Sequence, residues 1–403
     1  MKPLVMLNLA GLNRRLLAHM PHLSGMAAYG WQADLGTVLP ALACSAQTTY
    51  LSGTGPARHG VVGDGWYSRD RGRILFWRRR NLLTPVDRIS DAAAGYHPGH
   101  PGPAATGPAT AVIRAAQAIL DGSRPSLLLA RVDELDRDLQ RYGPDTPAAV
   151  TAAATVDAAV AGLTDRAGSG DIDLVVLSEY GVGAVRHPVA VNRLLRAEGF
   201  LEVTTGTATG MEYLDTVASR AFAVADHQVA HVYVPDPADH AKVRALLEAA
   251  DGVDEVLDRH DQGRHGLEHP NGGDLLAIAR PDAWFSYYYW LDDTRAPHFA
   301  RGVEPHRKPG YDPTELLADP ASPELLGRAA LIPERRGTGF RYTMNVVPLD
   351  PAVVRGSHGR LPDSADRGPV LLTSADRVPA VAAGGRVAAT DVRQVLLALR
   401  DPA

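Results

Sequence analysis

The sequence predicts an α/β fold, with a central mixed or parallel sheet sandwiched by helices and cap segments inserted into that core. Three observations predict it. Apolar runs without polar alternation recur at "LVMLNLAG" (4–11), "SLLLARVD" (126–133) and "DIDLVVLSEYG" (171–181), as expected of strands buried on both faces. Between the last two, "TPAAVTAAATVDAAVAGLTDRA" (146–167) is Ala-rich with apolar residues at helical spacing, long enough to cross over a sheet. Strand and helix then alternate along the chain, the order that covers a sheet with helices.

The remaining elements follow in order. "MPHLSGMAAYG" (20–30) reads as a helix stopped by Gly30. "AAAGYHPGHPGPAATGPATA" (92–111) is too rich in Gly and Pro for anything but loop. "HVYV" (231–234) and "GDLLAIAR" (273–280) read as further strands. "YYYWLDDTRAPHFARGVEPHRKPGYDP" (287–313) is aromatic, charged and broken by prolines, and reads as an ordered insertion whose Trp and Tyr residues build a second core. The basic cluster "RDRGRILFWRRRN" (69–81) reads as a solvated face with Phe76 and Trp77 turned inward, or as a field that steers an anion. The expectation is one domain over 1–403, with insertions near 68–110 and 282–340 forming a cap or substrate-recognition region.

Composition excludes several function classes. The 403 residues carry 41 Lys and Arg against 46 Asp and Glu, a net charge of −5, so no basic field invites nucleic acid. The single cysteine, Cys44, precludes an internal disulfide and fits a reducing cytoplasm. Asn8 and the following "NRRLL" argue that "MKPLVMLNLAGL" is a first strand rather than a signal peptide, and no apolar run approaches 18 residues, so no membrane span is expected. Ala, Arg, Gly and Pro usage fits a GC-rich bacterial genome. No P-loop lysine and no G-x-S-x-G elbow occur, and "YGVGAVR" (180–186) lacks the third glycine of a dinucleotide fingerprint.

Ligands of parallel α/β sheets bind beyond the carboxyl ends of the strands. There the sequence places "NLAGL" (8–12), "DELDRDLQRYGPD" (133–145), "SEYG" (178–181) and, near the C-terminus, "RGSHGRLPD" (355–363). "LPALACSAQTTYLSGTGPARHGVVGDGWY" (39–67) adds small residues, hydroxyls and glycines, the composition of a backbone-exposed site. In this order, "TTYLSGTGPARHGVVG" (48–63), "LDRDLQRYGP" (135–144), "SEYG" and "GSHG" (356–359) resemble the motifs of the alkaline phosphatase superfamily, in its nucleotide pyrophosphatase/phosphodiesterase (type I phosphodiesterase) branch.

That resemblance implies a phosphoesterase with two zinc ions and a Thr or Ser nucleophile that becomes a phosphoenzyme. Carried over residue by residue, Asp136 falls on the family's Asp ligand and His358 on its last His ligand. Gln140 stands where the partner His belongs, and Glu179 and Tyr180 replace an Asp–His pair. Ala10 replaces the first-strand Asp, with Asn8 two residues earlier, and Ala43 occupies the nucleophile position. Two zinc sites do not fit such residues. The expectation is one divalent ion (Mg, Mn, Ca or Zn), held by Asp136, Glu179, His358 and Asn8, or no ion at all.

Ser45 and Cys44, at a helix N-terminus, are the candidate nucleophiles in place of Ala43, and Glu179 and Tyr180 the acid–base groups. Cys44 reads equally as a buried filler and Ser45 as a helix cap. Gln140, Thr48, Arg307 and Lys308 are candidates to hold a small phosphorylated substrate. In "VADHQVAHVYV" (224–234), Asp226 and His227 are secondary metal candidates, able to replace the missing Asp–His pair. Two other readings stand beside a divergent phosphoesterase: a metal-free enzyme reusing the pocket, and a non-catalytic binder of a phosphorylated ligand or a partner protein.

Overall fold

The computed structural model describes residues 2–76, 109–303, 306–317 and 347–400. From the N-terminus come β1 (Leu4–Leu9), α1 (Pro21–Tyr29), β2 (Trp31–Leu35) and α2 (Ala43–Ser52). Next are α3 (Ala109–Gly122), β3 (Leu127–Val132), α4 (Glu134–Tyr142), α5 (Pro147–Gly168) and β4 (Asp173–Leu177). A second group holds β5 (Phe222–Asp226), β6 (Val229–Tyr233), α6 (Pro237–Glu248), β7 (Val253–Leu257) and β8 (Leu275–Ala279). The chain then returns through β9 (Val370–Thr373), β10 (Arg386–Val387) and α7 (Val392–Arg400).

The main sheet has the order β10-β2-β9-β4-β1-β3. β1 lies parallel to both β3 and β4, and β9 runs antiparallel to β4 and β2, so the sheet is mixed. Alternation along β1 shows why its run is uniformly apolar. Val5, Leu7 and Leu9 pack toward α1, α3 and α5, while Leu4 and Met6 pack toward α2 and α7. α5, contrary to the expectation that no apolar run approaches 18 residues, is by length and composition alone long and apolar enough to cross a membrane. Ala153, Val156, Val160 and Leu163 on it are buried in the main core. The Gly/Pro stretch ends earlier than expected, because α3 begins at Ala109; its residues 92–108 lie outside the described residues, as do Trp77–Asn81 and 318–340 of the two insertions.

The second sheet, β5-β6-β8-β7, is antiparallel throughout. Its core includes Tyr287, Tyr288, Tyr289 and Trp290. A tie between this sheet and the 39–67 segment runs through His231 on β6. Its Nε2–H donates to the Val62 carbonyl at 2.9 Å, and its Nδ1 accepts the Gly273 N–H at 3.1 Å. Burial pushes this imidazole down to about 4.

Residues 306–317 form a strap across the edge of β5. Gly310 bridges to Ala225, and the Tyr311 N–H donates to the Ala225 carbonyl at 2.9 Å. A buried ion cluster locks the strap: Lys308 Nζ lies 2.6 Å from Asp312 Oδ2 and 2.5 Å from Glu315 Oε1. Lys308 therefore neutralises its own loop and is not available to a substrate, in contrast to its expected role.

Two outcomes follow from these ties. His231 is neutral in the fold, while the unfolded chain takes up its proton near pH 6.5. Its contribution is intact above that pH and is lost between about 6.5 and about 4, up to roughly 3 kcal/mol. Urea unfolding at pH 7.5 and pH 5 will therefore show a smaller pH-dependent loss in His231→Gln than in the wild type; equal losses refute the assignment. Lys308→Met leaves two buried carboxylates without their cation and will cost about 3 kcal/mol or more. Limited proteolysis will then cut first within 306–317, and unchanged protection there would show that the ion cluster does not hold the strap.

Candidate active site

The carboxyl ends of β1, β3 and β4 deliver the first side chains. Asn8 on β1 is in register with Arg131 on β3 and Leu177 on β4, and Glu179 follows two residues later. Glu179 is fully buried and meets N–H donors from three elements. Its Oε1 accepts from Asn8 Nδ2 at 2.6 Å and from the Gln47 amide of α2. Arg131 approaches both carboxylate oxygens, with Nε 3.4 Å from Oε1 and Nη2 3.5 Å from Oε2. Glu179 is thus a counter-ion held by amides and a guanidinium. This differs from the expected pairing of Glu179 and Asn8 as metal ligands, and it leaves Glu179 poorly placed as a general base.

α4 supplies Asp136 and, one turn on, Gln140, whose Nε2 donates to Asp136 Oδ2 at 2.8 Å. Asp136 Oδ1 is buried with no hydrogen-bond partner and lies 3.9 Å from His358 Nε2. Burial pushes this carboxyl up to about 7, against the opposing pull of Arg131. His358 donates from Nδ1 to the Ala41 carbonyl at 3.0 Å, which leaves its Nε2 unprotonated.

His227 arrives from elsewhere in the chain. It occupies the turn between β5 and β6 with φ +59°, a left-handed conformation that costs a non-glycine residue energy. Its Nδ1 lies 2.8 Å from Asp226 Oδ1, and its buried Nε2 has no partner. The following Gln228 N–H donates to the His358 carbonyl at 2.8 Å, which draws the two histidines together. Their rings sit 3.8 Å apart, within a column of four: Tyr180 stacks on His358 at 3.5 Å, and Tyr311 stacks on the far face of His227 at 3.8 Å. The Tyr311 hydroxyl donates to Gln140 Oε1 at 3.4 Å, which closes the circle to α4. Burial beside Asp136 and Glu179 holds the Tyr180 phenol well above its usual range, so it stays protonated and does not ligate as phenolate.

The nucleophile segment forms α2. Ala43 is its first residue, and its Cys44 N–H donates to Asp64 Oδ1 at 2.9 Å. Asp64 in turn donates its own N–H to Asp226 Oδ2 at 2.9 Å. Cys44 packs among Leu39, Leu42, Val61, Val62 and Trp66, so it is a core filler rather than a nucleophile. Ser45 is fully buried with an unpartnered Oγ, not a helix cap, and Thr48 is buried a turn further along. Arg307 is exposed over the Phe299 ring at 5.5 Å, apart from the cluster. Sequence reasoning missed Arg131, Gln47, Asp64 and Tyr311. A charge inside the apolar run "SLLLARVD" was the available signal for Arg131.

The donors bear on the metal that the family implies. Among the described residues, no group of three or more His, Cys, Asp or Glu side chains is gathered as a ready metal cage. The chemistry of the donors nonetheless suits one ion: Asp136 Oδ1 and His227 Nε2 are buried without partners, and His358, bonded through Nδ1 to Ala41, turns its Nε2 to within 3.9 Å of Asp136 Oδ1. A second ion does not fit, because Ala10 and Ala43 carry no donor, Tyr180 is protonated and Glu179 is engaged by Arg131.

No curated protein matches the chain significantly in sequence. Among solved structures, phosphonoacetate hydrolase from Sinorhizobium meliloti in complex with phosphonoformate is similar, at TM-score 0.63 and 15% identity over 99% of this chain and 96% of that one. Murine ectonucleotide pyrophosphatase/phosphodiesterase 5 is similar at TM-score 0.64 and 12% identity, over 99% and 95%. An inactive variant of that murine protein in complex with AMP aligns at TM-score 0.64 and 13% identity, over the same shares of the two chains. These likenesses establish an alkaline-phosphatase-like fold. The family model for type I phosphodiesterase / nucleotide pyrophosphatase matches residues 4–100 and 84–312, most of the chain, and the protein belongs to that family.

Proposed function

We propose that the protein is a one-metal phosphoesterase acting on a small phosphorylated molecule, with Asp136, His227 and His358 as the ligands of a single divalent ion. One observation carries this reading: Asp136 Oδ1 and His227 Nε2 are buried with no partner, and His358 Nε2 lies 3.9 Å from the first of them. Orphaned buried acceptors cost about 1–3 kcal/mol each, and a cation removes that cost. Two imidazoles and a carboxylate suit zinc or manganese better than magnesium or calcium. Asp226 on His227 and the Ala41 carbonyl on His358 fix the tautomers that ligation needs. The AMP and phosphonate ligands of the similar structures support a phosphoryl-bearing substrate.

A divalent ion bound there supplies Lewis acidity toward a phosphoryl oxygen. The chain's own residues do the rest. Tyr180 donates its phenolic proton in a hydrogen bond to the substrate. Ser45, the unpartnered hydroxyl in the first turn of α2, donates a hydrogen bond to a phosphoryl oxygen. Gln140 holds Asp136 by one oxygen and leaves the other exposed to the ion. Ala43 favours a second reading, binding without turnover, because the family's attacking hydroxyl is missing.

Elemental analysis of the purified protein tests the proposal, alongside hydrolysis of a p-nitrophenyl phosphodiester. One divalent ion per chain is expected, lost in His227→Ala and in His358→Ala together with turnover. Asp226→Asn will weaken metal affinity by about 10–100-fold while the protein stays folded. Equal metal content in the wild type and both histidine variants, or none in any, sinks the metal assignment. A retained ion with no turnover of any phosphate ester selects binding over catalysis.

A further inference from the structure

Among the described residues Arg131 is the cation inside the cluster, and its ion pairs are long. Burying a guanidinium costs several kcal/mol unless tight ion pairs offset it. Some more exposed arginines lie closer to a carboxylate: Arg14 at 2.5 Å from Asp34 and Arg193 at 2.8 Å from Asp293. Arg131, with a side chain 17% exposed, sits at 3.4 to 3.5 Å from Glu179 and 3.5 Å from Asp133. Its N–H donors are oriented by these carboxylates but not used up by them. Glu179 is held from two sides: Asn8 and the Gln47 amide bond its Oε1 closely, and the guanidinium flanks both of its oxygens. Any divalent ion approaching Glu179 would have to displace Arg131.

We propose that the Arg131 guanidinium takes the place of a second metal ion and meets the non-ester oxygens of the bound phosphoryl group. Glu179, Asn8 and Gln47 are positioning residues that hold it there. This rests on the phosphoester reading above. The chemistry suits the role, since a planar fork of N–H donors matches two phosphoryl oxygens, whereas an ammonium offers only a point charge. Its position at the carboxyl end of β3, directly beside Asn8 on β1, puts it where ligands of such sheets bind.

The test is calorimetric binding of inorganic phosphate, with divalent-ion content measured on the same samples. Arg131→Lys keeps the charge and loses the fork. The double variant Arg131→Met, Glu179→Gln removes the cation together with the carboxylate that flanks it on two nitrogens. Phosphate is expected to bind the wild type about 10–100-fold more tightly than Arg131→Lys, and not to bind the double variant. All three proteins are expected to carry the same single divalent ion. Unchanged phosphate affinity in the folded double variant overturns the proposal, as does a second ion in the wild type or a wild type that binds no phosphate. Should the double variant fail to fold, equal affinity in Arg131→Lys overturns it alone. If the wild type holds no ion yet its phosphate binding still depends on Arg131, this proposal stands and the metal assignment falls.

Discussion

Excess buried negative charge is the constraint around which this site is built. Asp64, Asp133, Asp136, Glu179 and Asp226 converge near one guanidinium, and all but Asp133 are almost wholly buried. Like charges at such spacing in a medium of low polarisability repel strongly. The four most buried carboxylates have each found a different relief. Glu179 has amides and Arg131, and Asp136 has Gln140 and a raised proton affinity. Asp64 has the first turn of α2, and Asp226 has His227 and the Asp64 amide. What the arrangement lacks is positive charge, and that deficit sets the chemistry available to the pocket.

The frame that carries these groups was legible in the sequence because its signals are local. An apolar strand buried on both faces, or a helix of 22 residues with an apolar stripe, depends on neighbours within a few positions. Asp136, Glu179 and His358 were legible for the same reason, since each sits in a short motif after a strand or in a glycine-flanked loop. Arg131, Tyr311 and Asp64 were not, because their roles exist only once distant segments meet. Tyr311 matters through a ring contributed by β5 and β6, and Asp64 through an amide of α2. Lys308 shows the converse. Its basic neighbours suggested an anion clamp, but Asp312 and Glu315, four and seven residues on, fold back and bury it.

The two sheets divide the labour. The main sheet delivers Asn8, Arg131, Asp136 and Glu179 from strand ends, the usual place for ligands in parallel structure. The antiparallel sheet contributes Asp226 and His227 from a hairpin tip, and the strap adds Tyr311. The site is therefore a seam, and its geometry depends on how firmly the hairpin is held against the loop carrying His358. The Gln228–His358 hydrogen bond makes that connection, reinforced by the close approach of Gly359, where a Cβ would meet the Gln228 nitrogen at 3.0 Å.

The turn at His227 carries an implication for descent. β5 and β6 are joined by only two residues, and paired strands alternate their side chains strictly between faces. One residue added to or removed from that turn would rotate the Asp226–His227 pair out of the pocket and break the backbone bond to His358. Surface loops usually absorb insertions freely as lineages diverge. This one is length-locked, so lineages that keep the site are bound to keep a two-residue tip there.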